Sequence, residues 1–329
     1  MSSNLVQQGA SFETLDVEQR RQQAQQAREQ RQALGPEVVR VSLRHGDARD
    51  LDWLPAESVH LVVTSPPYWT LKEYNDVPGQ LGHVEDYERF LDELDCVWRH
   101  TYRALVPGGR LVCVVGDVCL SRREHGRHLV MPLHADIVVR CRMMGFDNLN
   151  PIIWLKIANA SFEVENGSKF LGKPYEPNAI IKNDIEFILM QRKPGGYRAP
   201  TDEQRMLSMI EKEKFDLWFQ QTWKLTGTST KNHPAPYPLE LADRLIRMFS
   251  FVGDTVLDPF SGTGTTLVAA AQAGRNAVGT EIDADYVGIA RQRLAEVGDL
   301  FTRPIVEVLG GNQRPSKSGR TNAGRRLTK

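Results

Sequence analysis

The chain has 329 residues, in which 41 Lys and Arg balance 41 Asp and Glu, and 41% are hydrophobic. That length can bury a full core, as one large domain or a domain with an insertion. No window approaches the roughly 18 uninterrupted apolar residues of a membrane span, the opening MSSNLVQQGASFETLDVEQRRQQ lacks a secretory apolar run, and a net charge of zero does not advertise nucleic-acid binding.

Residues 1–34 read as a polar N-terminal arm, Gln- and Arg-rich from residue 13 and ending near Gly35-Pro36, either helical or frayed. VVRVSLRHGDARDL follows as a strand running into the Gly46-Asp47 turn. Val59–Thr64 reads as a buried strand ending in Ser65-Pro66-Pro67-Tyr68. Between 84 and 105, Tyr87, Phe90, Leu91, Leu94, Val97, Trp98 and Leu105 recur near a 3.6-residue period, which predicts an amphipathic helix. Pro107-Gly108-Gly109 is expected to stop it before the strand RLVCVVGD. ADIVVRCRMMG predicts a helix, and NPIIWLKI and DIEFILMQR predict strands. Residues 158–182 and 193–222, rich in Gly, Pro, Lys and Asn, are expected to be loops or a small insertion. LELADRLIRMFS is amphipathic; Thr255–Leu257 and NAVGTEID read as strands, with a helix over Tyr286–Val297. Residues 301–329 read as a basic tail, carrying Arg314, Lys317, Arg320, Arg325, Arg326 and Lys329 after Gly311 and no acid there. Strands alternating with helices of this length argue for an open, doubly wound α/β sheet. Cys96, Cys113, Cys119 and Cys141 show neither CxxC pairing nor a histidine at metal-ligand spacing, so no metal is expected; they read as reduced core residues of a cytoplasmic protein.

Two stretches carry the chemistry. TVLDPFSGTGTT at 255–266 is a strand, a glycine-rich turn and the start of an alanine-rich helix, which offers backbone N–H groups to a ligand. It is no dinucleotide fingerprint, because the position three after Gly264 is Leu267, and no P-loop, because it lacks the lysine. An acid at the strand end, Asp258, suits a ligand bearing positive charge. Glu281 ends the next strand and is placed to accept hydrogen bonds from ribose hydroxyls. In LVVTSPPYW at 61–69, each residue before a proline is driven to extended geometry, which presents Ser65 and the Pro66 carbonyl at the strand's carboxyl end. Two such acceptors can hold an exocyclic NH₂, and Tyr68 offers a π-face for an extruded base. Trp69 reads either as a second stacking surface or as core.

Together the two motifs resemble the S-adenosylmethionine-dependent DNA amino-methyltransferases, in the permuted order of the β group, where [Asp/Asn/Ser]-Pro-Pro-[Tyr/Phe/Trp] precedes the cofactor loop. The resemblance spans roughly 38–156, 183–192 and 223–297. It implies a mostly parallel, seven-stranded Rossmann-like sheet with an inserted target-recognition region. The catalytic domain would then comprise 35–157, 183–192 and 223–300, with target recognition in 158–182 and 193–222. It further implies catalysis by Ser65, Pro66, Pro67 and Tyr68, and S-adenosylmethionine held by Asp258, Pro259, Phe260, Gly262, Gly264 and Thr265, by Glu281 and Ile282, and by Asp47 and Ala48. From KNHPAPYPLELADRLI, His233 and Pro234 would close over the methionine end.

Ser-Pro-Pro-Tyr is associated in that family with N4 of cytosine in double-stranded DNA, and an Asp at its head mostly with N6 of adenine. Cytosine-N4 methylation by base flipping is the expectation, with adenine-N6 methylation, or a non-catalytic DNA-binding protein of the same fold, as alternatives. Lys169, Lys173, Arg192, Lys193 and Arg198 are expected either to meet DNA or to form a solvated face. A cognate restriction endonuclease and a homodimer are further possible partners.

Overall fold

The computed structural model describes residues 12–34, 38–71, 74–156, 176–177, 181, 183–227, 237–298 and 303–310. Its centre is a nine-stranded sheet built from β1 (Arg40–His45), β2 (Val59–Thr64), β3 (Leu105–Val115), β6 (Asp147–Lys156), β7 (Ile185–Arg192), β8 (Thr222–Leu225), β9 (Thr255–Asp258), β10 (Asn276–Glu281) and β11 (Ile305–Leu309). The spatial order is β11-β1-β10-β9-β2-β3-β7-β6-β8. Only β7 runs against its neighbours β3 and β6. A separate hairpin pairs β4 (Val118–Leu120) with β5 (Leu129–Met131).

The seven expected strands are all present, and two edge strands extend them. β11 pairs in parallel with β1, so residues 305–309 belong to the sheet and not to the basic tail. β8 pairs in parallel with β6. Neither edge strand is long enough for its apolar alternation to announce it.

The strands are apolar on both faces because helices cover both. On one face Leu241 and Leu245 of the Leu239–Phe249 helix, Leu267 of the Thr265–Gln272 helix and Ala290 of the Ala284–Ala295 helix pack on Val41, Leu61, Val63 and Val256. On the other, Phe90, Leu94 and Trp98 of the Tyr87–Ala104 helix and Ile137 of the Leu133–Met143 helix pack on Val62, Leu111 and Leu257. The predicted 84–105 periodicity therefore maps onto a real buried stripe. Asp86 caps that helix, accepting from the Arg89 backbone N–H at 2.8 Å. Pro107–Gly109 does not form a stop between helix and strand. It lies within β3, where the register against β2 shifts, as suits a proline with no ladder donor.

The segment after β7 corrects a second expectation. Residues 193–222 are largely structured, with helices over Asp202–Ser208 and Lys212–Trp218. They lie at the amino edge of the sheet, because β7 is antiparallel and delivers the chain there. Lys193 N–H bonds to the Gly109 carbonyl, Arg198 pairs with Asp254 just before β9, and the Val252 N–H donates to Ser208 Oγ at 2.8 Å. Arg192 is tied to Asp147 and Lys193 to Glu57. These cations therefore stand at the edge opposite Ser65, each paired with a carboxylate. The polar arm docks on the same edge as a helix over Val17–Leu34: the Phe12 N–H meets Asp202, Arg28 reaches the Met209 carbonyl, and Arg31 pairs with Glu203. Lys169, Lys173 and the cationic residues beyond Gly311 lie outside the described residues. Among the described residues, no helix is long and apolar enough to cross a membrane.

Candidate active site

β9 and β2 are neighbours, with Leu61 opposite Val256 and Val62 opposite Leu257. From β9 the chain goes to β10 on one side, and from β2 to β3 on the other. The strand order therefore reverses between them, where open α/β sheets bind ligands beyond the strand carboxyl ends. The two motifs, almost 200 residues apart in sequence, meet there: Thr64 Oγ1 donates to Asp258 Oδ1 at 2.7 Å.

Asp258 is 1% exposed. Its Oδ1 also accepts from the Phe260 N–H at 3.1 Å, and its Oδ2 from Thr266 Oγ1 at 2.6 Å and Tyr237 OH at 3.3 Å. Four donors match the four lone-pair sites of a carboxylate. Burial still pushes its carboxyl above the usual range, against those hydrogen bonds. Asp258 therefore faces the protein and fastens β9 to β2; it does not line the cleft, contrary to the expectation of a direct cofactor contact. Tyr237 comes from the segment whose contacts were expected from His233 and Pro234, which lie outside the described residues.

A cleft opens beside this junction, lined by Asp47, Ala48, Ser65, Pro67, Pro259, Phe260, Glu281 and Ile282, together with Tyr74, Gly79, Leu81 and Tyr286. Glu281 differs from Asp258. Its Oε2 accepts from the Gly262 N–H at 2.7 Å and its Oε1 from the Asp283 N–H at 2.9 Å, so each oxygen keeps a lone pair for a ligand hydroxyl. Burial pushes its carboxyl up to about 7. Asp47 is gripped by Arg49, whose Nε reaches Oδ1 at 2.9 Å and whose Nη1 reaches Glu93 at 2.7 Å. The β1 and β10 loops are joined by the Gly46 N–H to the Glu281 carbonyl at 2.9 Å and by the His45 ring to the Ile282 carbonyl at 3.1 Å.

The glycines of the loop shape it without lining the cleft. Gly264 sits at φ +82, and a Cβ there would stand 2.9 Å from the Ala290 Cβ. Thr265 Oγ1 accepts from Arg293 at 3.1 Å. Gly262 serves through its backbone N–H.

In the Ser65–Tyr68 turn, Ser65 and Pro67 face the cleft. Tyr68 does not stand open for stacking: it is 7% exposed, its hydroxyl lies 3.4 Å from Ser65 Oγ, and burial raises its phenol. Trp69 is core. Its indole donates to the Val84 carbonyl at 2.8 Å and its ring meets Tyr87 edge-on at 5.1 Å. It holds a φ of 46°, a strained conformation for a bulky residue, in the residue after the turn. Tyr74 to Leu81 were missed by sequence reading, since that stretch has no periodicity. Asn75 anchors it to Asp283 at 2.6 Å across the cleft.

Residues 59–292 match the DNA methylase family model N6_N4_Mtase. The type II methyltransferase M.MjaI of Methanocaldococcus jannaschii is 37% identical over 280 residues, covering 76% of this chain and 89% of that one. The structure of TTHA0409 from Thermus thermophilus, solved with S-adenosyl-L-methionine, is 58% identical with a TM-score of 0.67, covering 82% of this chain and 99% of that one. The cytosine-N4-specific PvuII DNA methyltransferase, at 19% identity and a TM-score of 0.58 over 83% of this chain and 97% of that one, shares the fold. With both motifs at one switch point and the family model spanning most of the sheet, this chain belongs to the DNA methylase family.

Proposed function

We propose that this methylase moves a methyl group from S-adenosylmethionine to the exocyclic N4 amine of cytosine in duplex DNA, at a specific site and on a base flipped from the helix. The observation that carries this reading is the Thr64–Asp258 hydrogen bond, which sets Ser65-Pro66-Pro67-Tyr68 beside the DPFSGTGTT loop. The lining of the cleft suits the cofactor: Glu281 keeps two free lone pairs for the ribose hydroxyls, and Phe260 and Ile282 offer apolar walls. When bound, S-adenosylmethionine supplies an electrophilic methyl carbon on a sulfonium centre. Asp47, Ala48, Pro259, Phe260 and Ile282 would form its walls, while Asp258, Gly262, Gly264 and Thr265 hold the loop in shape.

Ser65 Oγ and the Pro66 carbonyl would accept from the two amine hydrogens and aim the nitrogen lone pair. Transfer would exchange the cofactor's C–S bond for an N–C bond, and the amine held by Ser65 and Pro66 would release one proton to solvent. The neutral serine at the head of the turn supports cytosine. Adenine N6 is the competing target, since the matching family model is named for both amines. Digesting DNA treated with the protein and identifying the methylated nucleoside by mass spectrometry tests the choice: N4-methylcytosine is expected, and N6-methyladenine alone would overturn it. β6 ends at Lys156 on the carboxyl side of the sheet, and we assign target recognition to residues 158–182, which follow it in sequence; a cognate endonuclease and a homodimer are compatible partners.

A further inference from the structure

Along the carboxyl edge of the sheet the order of strand ends is β1, β10, β9, β2, β3, β7, β6. The cofactor cleft occupies β1 to β2. Beyond Ser65 the next ends carry Gly116 after β3, Glu186 at the start of β7 and Lys156 at the end of β6. Lys156 Nζ forms an ion pair with Glu186, whose residue is 6% exposed and is not one the cofactor requires. Gly116 lies between this pair and the catalytic turn: a Cβ there would stand 3.3 Å from Glu186 Cγ and 3.7 Å from Tyr68 Cε2. Lys156 also sits 4.8 Å from the Trp154 ring. An ammonium has three donors, and among the described residues Glu186 is its only hydrogen-bond partner. Two donors remain.

We infer that Lys156 reads the target base by donating to the O2 carbonyl of cytosine, with Glu186 as the positioning residue that holds the ammonium in place. This rests on the cytosine-N4 reading above. The dimensions agree. The Glu186 carboxylate that holds the ammonium stands on β7, two strands from β2, and two spacings of about 4.8 Å hold a pyrimidine edge with a hydrogen bond at either end, while Lys156 reaches in from β6. With the N4 amine on Ser65, the far end of the same edge is O2, an acceptor suited to a cation. Adenine with its N6 amine in the same place offers a C–H there instead, so the ammonium would favour cytosine. The missing side chain at Gly116 lets Glu186 lie close to Tyr68, which brings the ammonium it holds near the Ser65–Tyr68 turn.

Unmethylated duplex DNA of mixed sequence, prepared with cytosine or with 2-thiocytosine, separates this role from a staple between β6 and β7. Sulfur is the poorer acceptor, so wild-type protein is expected to methylate the thio-DNA more slowly. Lys156→Met should lower kcat/KM on normal DNA by about 10–100-fold, with S-adenosylmethionine affinity by calorimetry near wild type, even where the urea midpoint falls because Glu186 loses its partner. Lys156→Arg should recover part of the loss, and Glu186→Gln should raise KM more than it lowers kcat. The thio penalty should vanish in Lys156→Met. Equal rates of wild-type protein on the two DNAs overturn the inference whether or not any variant folds, as does a thio penalty undiminished in Lys156→Met. If wild-type protein yields N4-methylcytosine and Lys156→Met matches it, this inference alone falls. If it yields only N6-methyladenine, the cytosine reading falls, and the O2 contact with it.

Discussion

The two halves of the carboxyl edge are built differently. On the cofactor half, β1, β10 and β9 end in acids whose partners are close in sequence or on the next strand: Asp47 with Arg49, Glu281 with Gly262 and Asp283, Asp258 with Phe260 and Thr266. On the other half, β3, β7 and β6 bring together Gly116, Glu186 and Lys156, and a His134 ring stacks on Phe187 at 3.7 Å while its Nδ1 meets Asp117 at 2.6 Å. The first half is rigid loop chemistry shaped before any ligand arrives. The second is a set of side chains from distant strands, which can differ between relatives without disturbing the first.

The largest break in this contrast should come from Asp258→Ala. It strands the Thr64 hydroxyl and the Phe260 N–H, at about 1–3 kcal/mol each where no new partner is found, while Thr266 keeps Tyr237 and the Val63 carbonyl as partners. Urea denaturation should show a loss of about 4 kcal/mol, together with lost cofactor binding. Full stability with only the affinity reduced would instead restore Asp258 as a direct ligand contact.

Ser65→Ala should come next, lowering turnover about 10–1000-fold by removing one preorganised acceptor, with calorimetric cofactor affinity retained. An unchanged single-turnover rate would take Ser65 out of the chemistry.

Glu281 gives a pH test of the cofactor half. Its folded carboxyl stands at about 7 against an ordinary 4.5, so between those values the ligand-free fold binds the extra proton. The stability this group contributes therefore falls as pH rises from 4.5 to 7, by about 3 kcal/mol in all. Ribose hydroxyls need the ionised form, so cofactor affinity should rise with pH and be about tenfold weaker at pH 6 than on its plateau. Glu281→Gln should flatten that profile; a titration of wild-type protein already flat from pH 6 to 8 would contradict the assignment.

Tyr68→Phe should have the smallest effect. Its hydroxyl lies 3.4 Å from Ser65 Oγ, at the limit of a useful hydrogen bond, so turnover should change by less than about threefold. A much larger loss would mean that the phenol meets the substrate.

Legibility from sequence followed the same division. The seven inner strands and the helices over 87–104, 239–249, 265–272 and 284–295 were readable because burial on one or both faces imposes a pattern on consecutive residues. Residues 202–218 were not, because helices of seven residues at the rim, none with more than one buried side chain, carry little periodicity. Glu281 and Gly262 were found because a loop motif is local. Tyr237, Tyr74 and the Lys156–Glu186 pair carry no motif of their own.

The order of apolar runs and the two short motifs determined an α/β methylase before any coordinates, since cofactor loops are formed by neighbours along the chain. Only the tertiary structure decided that Asp258 fastens two strands, that Tyr68 is enclosed, and that the cations at 192–198 stand away from the chemistry. Those outcomes depend on which strand lies next to which and in what direction β7 runs. Pairing between distant segments is set by the packing of the whole sheet, and no window of sequence records it.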